Sequence, residues 1–401
     1  MKRFLAALLA ALTVFTLTGC GKTENPAEPV TPGQAEEPAA PTEPELTPEE
    51  IAEQERLAAE KAREERLQGL LNSMTLEEKV GQLFFVRCPE TNAVEDISTY
   101  HLGGYLLFGR DYKDGDSWLT WEQFIQKIES YQDAAAIPLF IGSDEEGGTV
   151  TRASRNPNLF SEPFKSPQKL NYIGGIEEIL RDTDTRSREL RALGINVNFA
   201  PVCDVSTDPA DFIYERALGQ DAQTTADYVA QVVTAMGQER IGSVLKHFPG
   251  YGNNSDTHTG IAVDERSLRS LRENDFLPFE SGIEAGAEVV LVSHNIVRSI
   301  DGEHPASLSL QVHNILRDEI GFSGLIITDD LYMDAIREYT HGQEAAVMAV
   351  LAGNDLLCCS DYQTQYPAVV QALKDGKISD SRVDESVMRI LQYKISMGLM
   401  N

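Results

Sequence analysis

Ile241-Gly242-Ser243-Val244-Leu245-Lys246-His247-Phe248-Pro249-Gly250-Tyr251-Gly252-Asn253-Asn254-Ser255-Asp256-Thr257-His258 passes from an apolar run into a polar loop within a few residues. Residues 241–245 read as a buried strand, and residues 224–240 before them carry a helical pattern. Pro249, Gly250 and Gly252 break any regular element after residue 248, so the loop is free to hold polar groups at a strand end. Those groups are Lys246, His247, Asp256 and His258. Asp256 and His258, two apart, form a carboxylate–imidazole pair if the backbone folds back on itself. A histidine near neutral pKa is the commonest general acid/base in enzymes. The stretch therefore reads as an active-site loop; the plainer alternative is a polar turn around satisfied core histidines.

The same helix–strand alternation extends outward in both directions. Strand-like apolar runs fall at 83–86, 104–108, 138–143, 197–202, 243–248, 289–296, 325–328 and 355–359. Helix-sized spacers such as 176–193, 224–240 and 267–285 separate most of them, although 87–103 has a weak helical signal. Alternation of this kind predicts a parallel α/β sheet, and eight runs favour closure into a (β/α)8 barrel over residues 71–401, with 381–398 as its last helix. A doubly wound open sheet is the runner-up. Before this body, Thr47-Pro48-Glu49-Glu50 looks like a capped helix start, and 48–70 reads as a charged helix or stalk.

The first 47 residues have other business. Met1-Lys2-Arg3 is basic, 4–17 is apolar but too short to span a membrane as a mature helix, and Leu17-Thr18-Gly19-Cys20 resembles a bacterial lipobox. The expectation is a signal peptide over 1–19, lipidation at Cys20, and a protein exported and anchored on the outer face of the membrane. Residues 20–47 are rich in Pro, Glu, Ala and Thr and read as a disordered tether, extended by its prolines at ~3.1 Å per residue. The whole chain has 63 acidic and 34 basic side chains, a net charge of −29, which argues against nucleic acid as a partner. Cys358 and Cys359 sit in an apolar run and read as buried thiols, and no Cys or His pair has zinc spacing. Nothing in the sequence asks for a metal, a cofactor or an obligate protein partner.

In a barrel the active site lies at the C-terminal ends of the strands. The third run ends in Asp144-Glu145-Glu146-Gly147-Gly148, followed by Arg152; the fourth is followed by Asp204 and then Glu215-Arg216. The fifth supplies Lys246 and His247, the sixth His294 and Asn295, and the seventh Asp329-Asp330. Five runs thus deliver charged groups to one rim, an asymmetry that a purely structural barrel does not need.

Here the resemblance becomes specific. The 246–258 loop resembles the K-H-F-P-G-(H)-G…D-S-H signature of glycoside hydrolase family 3, in its β-N-acetylhexosaminidase branch. MTLEEKVGQL at 74–83, GGYLLFGRD at 103–111, SDEEGGTVTR at 143–152, INVNFAPVCDV at 195–205, LVSHNIV at 291–297, PASLS at 305–309, GFSGLIITDDLYMDAI at 321–336 and AGNDLLCCS at 352–360 stand in the family's order. The resemblance implies a retaining hydrolase that removes terminal β-linked N-acetylglucosamine from cell-wall fragments. It implies Asp329 as nucleophile, His258 as acid/base and Asp256 as the support of His258. Asp144, Arg152, Arg216, Lys246 and His247 become sugar-hydroxyl binders, and His294 and Met333 candidates for the pocket wall. Neighbouring residues of a strand face opposite sides, so Asp330 is expected behind Asp329 or capping a helix.

The departures are local. Tyr251 replaces the second histidine of the commonest form, Thr257 replaces serine, and the loop before Asp256 is one residue shorter. Thr149 stands where Arg is frequent, and Glu215-Arg216-Ala217-Leu218 replaces an R-S-F type run. None removes a proposed catalytic group; they bear on substrate preference. Three alternatives stand beside the main reading. A β-glucosidase-type member usually takes a glutamate acid from a second domain, for which the residues after the eighth run leave no room. A phosphorolytic member and a non-catalytic wall-binding lipoprotein are the others.

Overall fold

A computed structural model of the chain describes residues 47–341 and 344–400. The expected signal peptide, Cys20 and all of the tether except Thr47 lie outside the described residues. Residues 47–56 belong to a first unit and residues from Leu57 onward to a second, the folded body. Residues 48–56 are helical and carry the expected cap: Thr47 N–H donates to Glu50 Oε2 at 2.7 Å, and Glu50 N–H donates to Thr47 Oγ1 at 3.2 Å. The helix spans Pro48–Ser73, and within the body its residues Leu67 and Leu71 are buried in the main core.

Seven strands make one parallel sheet. They are β1 (Phe85–Arg87), β2 (Gly104–Leu107), β3 (Phe140–Ser143), β4 (Val197–Asn198), β5 (Gly242–Phe248), β6 (Val289–Val292) and β7 (Leu325–Thr328). They neighbour one another in sequence order, and every pairing is parallel. β2, β3, β5, β6 and β7 are buried along their whole length, which is why they read as unbroken apolar runs rather than alternating ones.

Three of the expected runs need correcting. Residues 355–359 form no strand; Leu357 makes an isolated parallel bridge to Phe84 and Leu356 another to Ile327, so this segment touches both edges of a curled sheet. The fourth run forms a strand over Val197–Asn198 and, past Pro201, which has no N–H to give a ladder, meets β5 again only in an isolated parallel bridge between Val202 and Lys246. The sixth stops at Val292, and Ile296–Val297 pairs instead with Val263–Asp264 in a separate short ladder.

Helices cover the sheet as the spacers predicted, with shifted ends. The 176–193 spacer is part of a longer helix, Pro167–Ala192, interrupted at Gly174 and Gly175. Ala222–Gln238 is capped by Asp221, whose side chain accepts from Thr224 N–H, and Asp380–Ser396 by Ser379. The weak 87–103 spacer does hold a helix, Ala93–Tyr100. Leu76–Gln82 opens on a reciprocal box between Thr75 and Glu78.

Aromatic rings fill the space inside the sheet. Phe85 lies 5.7 Å from Phe140 and 5.4 Å from Phe199, centroid to centroid. Gly142 makes this packing fit: a Cβ there would stand 2.7 Å from Phe85 Cζ and 2.9 Å from Phe199 Cε2. The polar rim therefore rests on a solid apolar floor.

Candidate active site

The C-terminal ends of the strands surround a cavity of about 310 Å³. Asp144, Arg152, Arg216, Lys246, His247, His258, Asp329 and Met333, all expected from sequence, line it together with Asp330. Residues as far apart as Asp144 and Met333 meet there because each follows a strand of the same sheet.

One wall is a charge relay between three strand ends. Lys246 Nζ donates to Asp144 Oδ1 at 2.8 Å and pairs with Glu146 Oε1 at 2.5 Å. Arg216 grips Glu146 with two parallel bonds, Nε to Oε2 at 2.9 Å and Nη2 to Oε1 at 2.7 Å. Burial opposes the charge on Glu146, but Arg216 and Lys246 outweigh it and hold the carboxyl well below the usual range. The same contacts reverse the effect of burial on Lys246 and raise its pKa. Arg152 reaches the outer side of the group, 3.6 Å from Asp144 Oδ2.

His247 is fixed from two sides. Its Nδ1 is 2.7 Å from Asp204 Oδ2, and its Nε2 is 3.1 Å from Arg216 Nη2. Arginine only donates, so Nε2 accepts and the ring proton sits on Nδ1, donated to Asp204. Asp204 also accepts from the backbone N–H of His247 and of Tyr251, at 3.1 and 2.7 Å, so one buried carboxylate sets both the ring and the start of the loop.

The loop's far end carries the expected pair. His258 Nδ1 is 2.7 Å from Asp256 Oδ1, which also accepts the His258 backbone N–H at 2.9 Å. Nδ1 is thereby occupied, and Nε2 of this largely exposed ring is left to a ligand.

Across the cavity, Asp329 follows β7. Burial works against its charge, but the imidazoles of His294, His247 and His258, which attract the carboxylate when they are protonated, and the N–H of Asp330, donated to Oδ1 at 2.8 Å, set its carboxyl below the ordinary range. Asp330 differs: Oδ1 accepts from Tyr332 N–H and Ser360 N–H at 3.0 and 2.9 Å, and Oδ2 accepts from the Ser360 hydroxyl. Asp330 therefore ties the 358–360 segment to β7. His294 corrects an expectation. It does not line the cavity but is wholly buried, with Nδ1 2.7 Å from Ser307 Oγ and Nε2 donating to Asp330 O at 3.0 Å. Burial, opposed by Asp329, lowers its pKa, so it braces this corner as a neutral ring.

Sequence reasoning missed Arg87 and Phe108 and gave no role to Glu146. Arg87 ends β1 and lies over the Phe108 ring at 4.4 Å, while Arg152 covers the same ring at 5.4 Å. Arg87 makes no ion pair among the described residues, and its buried Nε finds no acceptor there. Its position directly after the first apolar run was a usable signal.

The model of the glycosyl hydrolase family 3 N-terminal domain matches residues 75–393. The chain belongs to glycosyl hydrolase family 3. It is similar to the β-hexosaminidase LpqI of Mycobacterium tuberculosis, 31% identical over 79% of this chain and 82% of that protein. It is similar also to a β-hexosaminidase of Nitrosomonas eutropha, 30% identical over 68% of this chain and 77% of that one. Among solved structures, a family 3 β-N-acetylglucosaminidase from a Paenibacillus species is similar, with a TM-score of 0.75 and 30% identity over 82% of this chain. The chain spans 63% of that protein's length. Within family 3 the chain sits in the β-hexosaminidase branch, and it is a glycoside hydrolase of that type.

Proposed function

We propose that this family 3 chain is a retaining, exo-acting β-N-acetylhexosaminidase that releases terminal β-linked N-acetylglucosamine from peptidoglycan-type fragments. The observation that carries this reading is the meeting, in one cavity, of a half-buried carboxylate whose pKa is lowered, Asp329, and a histidine backed by a carboxylate, His258 with Asp256. A retaining glycosidase needs a nucleophile on one face of the sugar and a proton donor beside the leaving oxygen.

In the first step an Asp329 oxygen bonds to the anomeric carbon as the glycosidic C–O bond breaks, and His258 gives its proton to the leaving oxygen. In the second, His258 takes a proton from water, the water oxygen bonds to the anomeric carbon, and the Asp329 ester breaks. Two inversions leave the β configuration retained. Asp144, Lys246, His247, Arg216 and Arg152 present acceptors and donors side by side, a set suited to vicinal hydroxyls. Met333 supplies apolar wall. We read the curled sheet, bridged between its two edges by Leu356 and Leu357, as a (β/α)8 barrel, and the molecule as exported and lipid-anchored at Cys20.

Assay of wild type, Asp329→Ala and His258→Ala on aryl β-N-acetylglucosaminides and β-glucosides tests the reading. Hydrolysis of the first substrate, abolished in Asp329→Ala, is expected; a wild type inactive on both sinks it. A 2-fluoro sugar that labels any residue but Asp329 would refute the nucleophile.

One observation favours an acid-bearing glycan over a neutral one, namely the unpaired guanidinium of Arg87 in the cavity of a strongly acidic chain. A hydrogen bond to a charged group contributes about 1.5–3 kcal/mol, so Arg87→Gln should cost ~10-fold or more in kcat/KM on a carboxylate-bearing disaccharide. The loss on a neutral chito-oligosaccharide should be smaller. Equal losses on both would remove this preference.

A further inference from the structure

Two departures from the family's commonest loop, Tyr251 and Thr257, touch each other. The Tyr251 hydroxyl is 2.5 Å from Thr257 Oγ1, and both side chains are buried. Thr257 stands between Asp256 and His258. Tyr251 is in turn anchored to the strand end: its N–H donates to Asp204, its ring meets His247 edge-on at 5.1 Å, and it packs with Val202 and Ile213. Around it the loop is drawn tight. Arg266 Nη2 donates to Gly250 O at 2.8 Å, and Asn254 Nδ2 donates to Tyr251 O at 2.7 Å. Gly252 has φ +50°, and a Cβ there would collide with Arg266 Nη1 at 2.2 Å, so this part of the loop has one path open to it.

We infer that Tyr251 and Thr257 form a latch that positions His258 for proton transfer, so that Tyr251 is a positioning residue acting through the loop rather than on the sugar. The His258 ring is more than half exposed, at 58%, and its contact with Asp256 is local to the loop. That contact orients the ring relative to its own loop but does not place the loop over the cavity. The hydroxyl-to-hydroxyl bond spans that gap, joining the same buried Asp204 anchor that sets His247 to the residue next to the acid. It couples the sugar-holding wall and the proton donor through one side chain. The inference rests on the assignment of His258 as acid/base.

Leaving-group dependence tests it. Protonation matters most for a poor leaving group and little for one that departs as a stable anion. Tyr251→Phe removes the hydroxyl and keeps the ring. We expect kcat/KM to fall ~10-fold or more on an N-acetylglucosaminide with a sugar or alkyl leaving group, and to stay within about twofold on the 2,4-dinitrophenyl glycoside. Thr257→Val should repeat this pattern and Thr257→Ser should restore wild-type behaviour. A thermal melt of each variant identifies any that fails to fold, and the threonine pair keeps the test open if Tyr251→Phe is one of these. A loss equal for all leaving groups, or no loss, overturns the latch. If His258→Ala itself shows no leaving-group dependence while wild type is active, the acid/base assignment falls instead, and the two failures remain distinguishable.

Discussion

Replacing Glu146 by glutamine tests the charge wall most directly. Glu146 has a side chain 1% exposed and accepts three short contacts, two from Arg216 and one from Lys246. Glutamine keeps the shape and one acceptor oxygen, but its amide nitrogen must face a donor, and two buried cations lose their shared anion. Breaking a buried pair by removing one partner costs about 3–5 kcal/mol. The retained oxygen and the nearby Asp144, which still pairs Lys246, place Glu146→Gln toward the lower end, at about 3 kcal/mol. Urea unfolding should show this as a drop in midpoint with an unchanged slope. KM for the N-acetylglucosaminide should rise, because Arg216 and Lys246 lose the anchor that points them at the sugar. The pH dependence has a definite sign. The folded carboxyl titrates well below an unfolded glutamate, so its stabilisation is fully present above pH about 4.3 and is lost as pH falls from there through the folded value. The gap between wild type and variant should therefore be flat from pH 8 to 5. A gap under about 1 kcal/mol with KM unchanged would refute the view that Glu146 organises this wall.

Three further outcomes concern single sites. Because the Asp329 carboxyl is held below the ordinary range, the acid limb of kcat/KM should lie below pH about 4; a limb near 6 would show a protonated nucleophile. Lys394 is buried, with Nζ donating to Gln82 Oε1 at 2.8 Å, and burial lowers its pKa to about 7. Unfolded lysine keeps its proton to about 10.4, so wild-type stability should rise by a few kcal/mol between pH 7 and 10 relative to Lys394→Met, and parallel curves would contradict this. Gly142→Ala forces a Cβ within 3.0 Å of the Phe85 and Phe199 rings and should destabilise by about 1–3 kcal/mol in the same urea assay, whereas a neutral result would mean that the rings yield freely.

How much of this was legible in the sequence depends on the range of the interaction. Apolar runs and their spacers report burial and local propensity, so seven strands and the Thr47 cap could be read directly. The 355–359 run failed as a strand because ladder formation depends on both neighbours, and there Leu356 and Leu357 each make one isolated bridge. The 289–296 run read as one strand because Ile296 is apolar, yet its partner is Val263 on a different ladder. Composition cannot reveal a change of partner.

The site divides in the same way. That Asp144, Lys246 and Asp329 end strands is local information, whereas Lys246 choosing Asp144, 102 residues away, and Arg216 choosing Glu146, 70 away, is not. His294 shows the cost of the local rule. It follows β6 as Asp329 follows β7, but Ser307 and the Asp330 carbonyl take both its nitrogens and draw it behind the cavity. Arg87 shows the opposite error, a strand-end residue passed over because β1 sits in the least regular part of the pattern. A strand end states which residues reach the rim, and the partners available there decide which of them remain free for a ligand. By that criterion the polar groups divide into three kinds. Glu146, Asp204 and Asp330 have their oxygens engaged by the protein and shape the site. His247 and Lys246 are held by one such group and face the cavity. His258 Nε2 and the Arg87 guanidinium carry the least protein engagement, and they are where a change of substrate should be felt first.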